Sequence, residues 1–330
     1  MSRIPAGVIG VGKLGAEHAR LLARSDAFEL EGIHDRSAAR AREVADALSV
    51  PAFAEAKTLL GRVEAVVIAV PTAAHREAAV ASIRAGCHVL VEKPLAASLG
   101  EADEILALAE EEGVIVGVGH VERFNGILLA ADPWLDRPRF IESLRMAPFQ
   151  PRGADTTVVL DLMIHDIDLV LTLTEAPLAE VRAVGVPVIS PRIDLANARL
   201  SFEDGTVANI TASRVALKAL RKLRLFQRSG YFSLDLAAET GHHYRRREPG
   251  TGTLRAPGAA IAGVEAVVDH VPLEACGGEA LARELTAFAD AIGGRASRLV
   301  SGRAGREALE VATRITREIE EFVHVVAQDS

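Results

Sequence analysis

The stretch Gly10-Val11-Gly12-Lys13-Leu14-Gly15 stands between a short apolar run and an amphipathic run of helical period. A GxGxxG pattern between a strand and a helix predicts the phosphate-binding turn of a βαβ unit. Gly10 permits the tight turn, Gly12 leaves room for a pyrophosphate, and Gly15 lets the helix pack closely against the strand. The N–H groups at the start of that helix would face the phosphates. These residues therefore predict a dinucleotide-binding fold.

A carboxylate completes this pattern. Asp35 ends the second predicted strand, at the spacing after the glycines where an acidic residue binds the adenosine ribose hydroxyls. That carboxylate repels a 2′-phosphate and favours NAD as the cofactor, whereas the adjacent Arg36 could pair with the phosphate and admit NADP. The predicted cofactor-binding residues of this region are Gly10, Gly12, Lys13, Leu14, Gly15, Asp35 and Arg36.

Aliphatic strand patterns alternate with helical patterns through the first third of the chain. Ala65–Val70 is a continuous aliphatic run that ends at Pro71, and His88–Glu92 is another that precedes Lys93-Pro94. Such strands between helices are typical of a parallel sheet that is covered on both faces. Residues 1–121 are therefore predicted to form an α/β, doubly wound, NAD(P)-binding Rossmann domain.

The pattern changes in the remainder of the chain, where strand-like runs are joined by turn signals. Asp204-Gly205 and Ser229-Gly230 each separate two such runs and predict hairpins of an antiparallel sheet. Helical runs at Gly278–Ile292 and Gly302–Val326 close the chain. One interpretation is that these C-terminal helices pack back on the first domain. Residues 122–330 are predicted to form an α+β domain with an open, mostly antiparallel sheet for substrate binding and oligomerisation.

Charge and cysteine content exclude several classes of protein. The 330 residues carry a net charge of -8, which argues against general affinity for nucleic acid. The cysteines, Cys87 and Cys276, belong to no CxxC pair, so neither a disulfide framework nor a cysteine-rich zinc site is expected. With no visible leader and no apolar run long enough to cross a bilayer, we expect a cytoplasmic location.

Basic residues cluster at Arg221–Arg224 and at Arg245–Arg247. A solvated face is one interpretation of these clusters, and contact with an anionic substrate is the other. The second cluster lies within His242–Ala260, which is rich in Arg, Gly and Pro and is predicted to be an irregular loop.

Lys93 is the first candidate for the chemistry. It follows an aliphatic strand, at the end of the sheet where doubly wound folds bind their ligands. Partial desolvation there would suit it to proton transfer, although a solvated loop lysine is the alternative. Tyr231 and Tyr244 are the only tyrosines, and neither has the lysine four residues away that short-chain dehydrogenases need.

Asp161, His165 and Asp168 form a second candidate group. Their spacing places them on one face of a predicted helix whose other residues are mostly apolar. Because buried charges are costly, this polar face needs a partner or a function. His165 could act as a general base that a nearby carboxylate orients. A structural polar cluster and a His/Asp/Asp metal site are the alternatives, and we assign no metal.

Together these residues resemble the glucose–fructose oxidoreductase/inositol dehydrogenase (Gfo/Idh/MocA) family. The resemblance rests on the glycine motif, on Glu92-Lys93-Pro94, on the stretch Gly119–Asn125 and on Asp161–Asp168. It covers nearly the whole chain and implies hydride transfer between a sugar ring carbon and nicotinamide. It also implies a homodimer or homotetramer that forms through the antiparallel sheet.

The resemblance implies roles for individual residues. The catalytic group would be Lys93, Asp161 and His165. Residues implied beside the cofactor are Pro71, Thr72, His75, Glu92 and Lys93. Residues implied in substrate binding are Arg123, Asn125, Asp161, His165 and Arg214.

Within that family the chain looks most like the bacterial nucleotide-sugar 3-dehydrogenases that act on UDP-N-acetylglucosamine. Arg214, Arg221 and Arg224 would suit the diphosphate of such a substrate. Three alternatives stay open at this point: an inositol or free-sugar dehydrogenase, a non-catalytic redox sensor that binds NAD, and an enzyme that keeps its cofactor permanently bound.

Overall fold

The computed structural model describes residues 3–150, 156–246 and 268–328, with side chains up to residue 321. The chain forms two compact units, Met1–Val121 with Glu279–Glu310 and Glu122–Gly278 with Val311–Ser330. The described residues build one six-stranded sheet and one eight-stranded sheet.

The first unit contains a doubly wound parallel sheet. Its strands are β1 (Ile4–Ile9), β2 (Phe28–His34), β3 (Ala52–Phe53), β4 (Ala65–Ile68), β5 (His88–Glu92) and β6 (Val116–Gly119). They pair in parallel in the order β3-β2-β1-β4-β5-β6. The connecting helices are α1 (Lys13–Leu22), α2 (Ala38–Leu48), α3 (Ala56–Leu60), α4 (His75–Arg84) and α5 (Leu99–Glu112). The Rossmann prediction is confirmed.

Local sequence explains these elements and the position of the ligand site. The residues of β4, Ala-Val-Val-Ile, are all buried, as expected for a central strand of a covered parallel sheet. Helices α2 and α5 begin after Ser37 and Ser98, whose hydroxyls accept hydrogen bonds from backbone N–H groups in the first turn. The strand order reverses between β1 and β4, so ligands are expected at the carboxyl ends of these strands.

The second unit contains the open sheet. Its first helices are α6 (Gly126–Ala131) and α7 (Ile164–Leu173). Its strands are β7 (Phe140–Met146), β8 (Leu178–Val186), β9 (Leu195–Phe202), β10 (Val207–Ser213), β11 (Leu220–Gln227), β12 (Gly230–Asp235), β13 (Thr240–Arg246) and β14 (Val268–Glu274). They lie in the order β14-β13-β12-β11-β7-β10-β9-β8. The pair β10–β7 is parallel and the other pairs are antiparallel, which confirms the prediction of a mostly antiparallel sheet.

Both predicted hairpins are present: Asp204-Gly205 lies between β9 and β10, and Ser229-Gly230 lies where β11 turns into β12. The helices α8 (Ala280–Ile292) and α9 (Gly302–Gln328) close the chain, also as predicted. Among the described residues, no helix combines the length and the apolar character needed to cross a membrane.

Strand β7 and part of β13 depart from the sequence pattern. Strand β7 lies in a proline-containing stretch for which that pattern predicts no strand, because polar Ser143 and Arg145 occupy buried positions and obscure the alternation. His242–Arg246 belongs to β13, so the prediction of an irregular loop was wrong there. The rest of that predicted loop, residues 247–260, lies outside the described residues.

Candidate active site

The glycine turn between β1 and α1 has the geometry of a phosphate site. Gly10 has φ +87°, a left-handed conformation that side chains disfavour. A Cβ on Gly15 would lie 1.8 Å from the carbonyl oxygen of Gly10, so the helix packs against the turn only because residue 15 has no side chain. Helix α1 begins after Gly12, and no side chain of the described residues caps it. Its first N–H groups are therefore available to a pyrophosphate.

Asp35 is brought next to this turn from the end of β2. Its carboxylate accepts hydrogen bonds from the backbone N–H of Val11 and of Ser37, both at 2.8 Å. Arg40, which the motif does not mark, donates from Nε to the carbonyl oxygen of Val11 at 2.8 Å. The neighbouring Arg36 is exposed. The turn and the carboxylate thus form one arrangement that fits the adenosine and diphosphate groups of NAD.

His75 joins the two loops that follow β4 and β5. Its Nδ1 lies 2.8 Å from the carbonyl oxygen of Pro94, and its Nε2 lies 2.9 Å from that of Val70. Burial lowers the pKa of His75, so the ring is neutral at physiological pH and donates to one carbonyl at a time. The segment Pro71–Thr72 and the segment after β5 are therefore held at the same edge of the sheet.

A buried polar cluster lies at the end of β5, directly before Lys93. The Nε2 atom of His18 and the Oε1 atom of Glu92 are 2.7 Å apart, and both side chains are buried. A carboxylate oxygen of Glu284 also lies within 4.8 Å of the ligand atoms of these two residues. Lys93 itself is half-buried. The cluster fixes the strand end from which Lys93 extends.

Asp161 and His165 lie on consecutive but different helical segments of the second unit. Val159–Met163 forms a π-helical turn that carries Asp161, and α7 follows at once and carries His165. Both side chains are half-buried, whereas Asp166 and Asp168 are buried. Because a π turn changes the angular spacing of residues, the single α-helical face predicted from the sequence was wrong in detail. Such turns occur frequently at functional sites.

The residue after His165 belongs to an ion network that the sequence does not reveal. Asp166 accepts hydrogen bonds from Arg145 Nε at 2.6 Å and from Ser143 Oγ at 2.8 Å. Arg145 also donates from Nη1 to Glu122 at 2.9 Å. Burial alone would lower the pKa of Arg145, but the adjacent carboxylates of Asp166 and Glu122 raise it, so the guanidinium stays charged. The network holds α7 against β7 beside His165.

The residues predicted to bind substrate have protein partners in the structure. Arg123 forms a two-bond pair with Asp168, at 2.8 and 2.6 Å. Asn125 caps α6 by accepting from the N–H of Ile127, and it donates to the carbonyl oxygen of Leu236 at 2.9 Å. These contacts give Arg123 and Asn125 a role in holding the elements of the second unit. Their contact with substrate stays a prediction.

Arg214 is also buried among protein acceptors. Its guanidinium donates to Asp194 at 2.7 Å, to the carbonyl oxygen of Thr156 at 2.8 Å and to Ser190 at 2.9 Å. It therefore ties the segment that leads into the π-helical turn to the end of β10. These acceptors are distant in the sequence, so the bonds could not be predicted from it. A contact between Arg214 and substrate stays a prediction.

Comparison with known proteins covers both units. Residues 4–120 match the family described as "Oxidoreductase family, NAD-binding Rossmann fold", and residues 136–233 match the "GFO/IDH/MocA C-terminal domain". The chain is 38% identical over 324 residues to UDP-N-acetylglucosamine 3-dehydrogenase of Acidithiobacillus ferrooxidans, covering 98% of this chain and 99% of that protein. It is 30% identical over 269 residues to myo-inositol dehydrogenase Hyg17 of Streptomyces leeuwenhoekii, covering 76% and 78%.

Solved structures agree with these matches. A structure of the Acidithiobacillus ferrooxidans UDP-N-acetylglucosamine 3-dehydrogenase superposes with a TM-score of 0.89 at 38% identity, covering 98% of this chain and 99% of that one. A scyllo-inositol dehydrogenase from Lactobacillus casei superposes with a TM-score of 0.76 at 19% identity, covering 97% of each chain, and shows the shared fold alone. The chain therefore belongs to the GFO/IDH/MocA family of NAD-binding oxidoreductases.

Proposed function

We propose that this chain is a UDP-N-acetylglucosamine 3-dehydrogenase, which oxidises the C3 hydroxyl of the sugar and reduces NAD. The observation that carries the proposal is the 38% identity to an enzyme of that name across almost the full length of both chains. A full-length match includes the second unit, which holds the proposed substrate residues, and not only the dinucleotide-binding unit that many oxidoreductases share.

Lys93, Asp161 and His165 form the proposed catalytic group. Either Lys93 or His165 accepts the hydroxyl proton, while the other donates a hydrogen bond to the same oxygen and stabilises its developing charge. Asp161 orients one or both of these side chains. NAD, when bound, supplies the acceptor for the hydride that leaves the sugar carbon. In this proposal the residues that hold NAD are Gly10, Gly12, Lys13, Leu14, Gly15, Asp35, Arg36, Pro71, Thr72, His75, Glu92 and Lys93.

A substrate panel tests the proposed function. Purified protein is mixed with NAD and, in separate reactions, UDP-N-acetylglucosamine, free N-acetylglucosamine, myo-inositol and scyllo-inositol, and the absorbance of NADH is followed. We expect NADH with the UDP-sugar and at most a trace with the others. Turnover of an inositol instead would favour the second candidate, which the 30% identity to Hyg17 supports. The absence of turnover with every substrate would favour a sensor or a permanently bound cofactor.

Replacement of Asp35 by asparagine tests the cofactor preference. Asparagine keeps an oxygen that can accept from the N–H of Val11 but loses the charge that repels a 2′-phosphate. We expect the ratio of NAD affinity to NADP affinity to fall about tenfold or more, as fluorescence titration would measure, since a hydrogen bond to a charged group contributes about 1.5–3 kcal/mol. Asp46→Asn, at an exposed position on α2, is the control. An unchanged ratio in Asp35→Asn would show that Asp35 does not bind the ribose.

We also propose that one face of the second sheet forms the interface of a homodimer or homotetramer. This face, called the open face, is the one that α7 does not cover. A row of partly exposed rings crosses this face, with centroid distances of 5.7 Å for Phe140–Phe226, 5.4 Å for Phe226–Tyr231 and 4.4 Å for Tyr231–Tyr244. A continuous apolar row on an exposed face favours coverage by another protein surface. Light scattering of the purified protein should give the mass of a dimer or tetramer, and a monomer at every concentration would contradict this.

The cytoplasm is the proposed location. The structure joins neither Cys87 nor Cys276 in a disulfide, which suits a reducing compartment. Cell fractionation checks this, and recovery of the protein in a secreted or membrane fraction would contradict it.

A further inference from the structure

Three arginines, which are Arg214, Arg221 and Arg224, would suit the diphosphate of the substrate that the resemblance implies. The structure shows that these side chains differ in exposure and in the partners they bind. Arg214 has a side chain that is only 5% exposed and donates to three acceptors of the protein. It therefore has little capacity for a further anion. Arg221 and Arg224 both lie on β11, but three residues apart, so they point to opposite faces of the sheet.

The pairing of β11 with β7 shows which face each of these two arginines occupies. Arg224 lies opposite Glu142 and forms an ion pair with it at 3.7 Å, on the open face. Arg221 lies opposite Arg145, and directly opposed residues of an antiparallel pair share a face. Arg145 donates a hydrogen bond to Asp166 of α7, so Arg221 lies on the face of the sheet that α7 covers. Helix α7 also carries His165.

Among the residues that β11 places on this face, Arg221 has a side chain that reaches solvent. Its side chain is 47% exposed, whereas Leu223 and Leu225, which follow it on the same face, are fully buried. One guanidinium nitrogen, Nη1, donates to Glu122 Oε1 at 3.1 Å. The other N–H groups of this guanidinium find no acceptor among the described residues. A guanidinium with one nitrogen fixed and the others exposed is oriented in advance for an anion.

A chain of alternating charges connects Arg221 to the residue after His165. Arg221 and Arg145 both donate to Oε1 of Glu122, at 3.1 and 2.9 Å, and Arg145 donates to Asp166 at 2.6 Å. The two carboxylates balance the two guanidinium groups. An anion at Arg221 would therefore bind at the exposed end of a rigid network whose buried end adjoins His165.

We propose that Arg221 binds the diphosphate of the sugar-nucleotide substrate and so distinguishes it from an uncharged sugar or inositol. This inference rests on the proposed function. The diphosphate is attached at C1 of the sugar, within a few bonds of the reacting C3 carbon. The same network of hydrogen bonds would then hold both the arginine that binds the diphosphate and the helix that carries His165.

Calorimetric titration with UDP, which carries the diphosphate without the sugar, tests this inference. Arg221→Met removes the charge but keeps an apolar side chain over the sheet. We expect the Kd for UDP to rise about 30-fold, which is the effect of losing a charge-assisted contact, while the Kd for NAD stays unchanged. Arg224→Met is the matched control, because it removes a half-exposed, glutamate-paired arginine from the other face of the same strand. We expect its Kd for UDP to stay within about twofold of the wild-type value.

Further measurements separate this inference from the proposed function. If Arg221→Met does not fold, Arg221→Lys keeps a charge for Glu122 but loses the planar fork, and should raise the Kd for UDP about tenfold. A Kd that is unchanged in the folded variant, or the absence of UDP binding by the wild-type protein, would overturn the role of Arg221. Binding of UDP that depends on Arg221, in a protein that does not oxidise UDP-N-acetylglucosamine, would support Arg221 and reject the proposed function.

Discussion

Lys93→Ala is expected to lower kcat with UDP-N-acetylglucosamine by about two orders of magnitude or more and to leave NAD bound with normal affinity. A fall in kcat of this size is typical when an enzyme loses a group that transfers a proton, or stabilises charge, at the reacting oxygen. Lys93 follows β5 at the carboxyl edge of the first sheet, where the buried pair of His18 and Glu92 supports it. Truncation removes the ammonium group and leaves that support in place.

Steady-state kinetics and NAD titration together check this expectation. His165→Ala should give a loss of similar size, because Lys93 and His165 are both proposed to act on the oxygen that loses its proton. Lys57→Ala, at an exposed position on α3, is the control and should turn over at the wild-type rate. If Lys93→Ala and His165→Ala both kept near-normal kcat, the assignment of the catalytic group would be wrong.

Gly15→Ala is expected to raise the Kd for NAD about a hundredfold and to lower the free energy of unfolding by about 3 kcal/mol. The added Cβ would lie 1.8 Å from the carbonyl oxygen of Gly10, and that neighbour is backbone and cannot rotate away. The turn and the first residues of α1 must therefore separate, which misplaces the N–H groups that are proposed to bind the pyrophosphate.

A second glycine near a helix N-terminus provides the control for this variant. Gly100 lies in the first turn of α5, and a Cβ there would meet no atom within 4 Å. Gly100→Ala should leave NAD affinity unchanged and stabilise the protein by about 0.5–1 kcal/mol, because alanine is the better helix residue. Equal NAD affinities for Gly15→Ala and the wild-type protein would show that the turn is not the pyrophosphate site.

The features that could be predicted from the sequence are local in the chain. The glycine turn, the carboxylate at the end of β2 and both hairpins depend on residues close together in sequence, and each has a recognisable spacing. The position of Lys93 after an aliphatic strand could be predicted in the same way. These features sufficed for the Rossmann domain and for the mostly antiparallel character of the second sheet.

The features that could not be predicted depend on distant partners. Arg145 occupies a buried position in β7 because Asp166 and Glu122 neutralise it, and nothing in the residues next to Arg145 indicates those contacts. The same is true of the bond between Arg214 and Asp194, because Asp194 lies 20 positions away in the sequence. A charge that is visible in a sequence therefore predicts a partner but not whether that partner is a substrate or another part of the protein.

The fate of the hydrogen on C3 of the sugar is the most direct test of the proposed activity. UDP-N-acetylglucosamine with deuterium at C3 would be incubated with the enzyme and NAD, and the reduced cofactor would be examined by mass spectrometry. Direct hydride transfer from C3 predicts that every NADH formed carries the deuterium, with a slower rate than for the unlabelled sugar if this step limits turnover. NADH without deuterium, or no NADH at all, would contradict the proposal that this chain is a sugar-nucleotide 3-dehydrogenase.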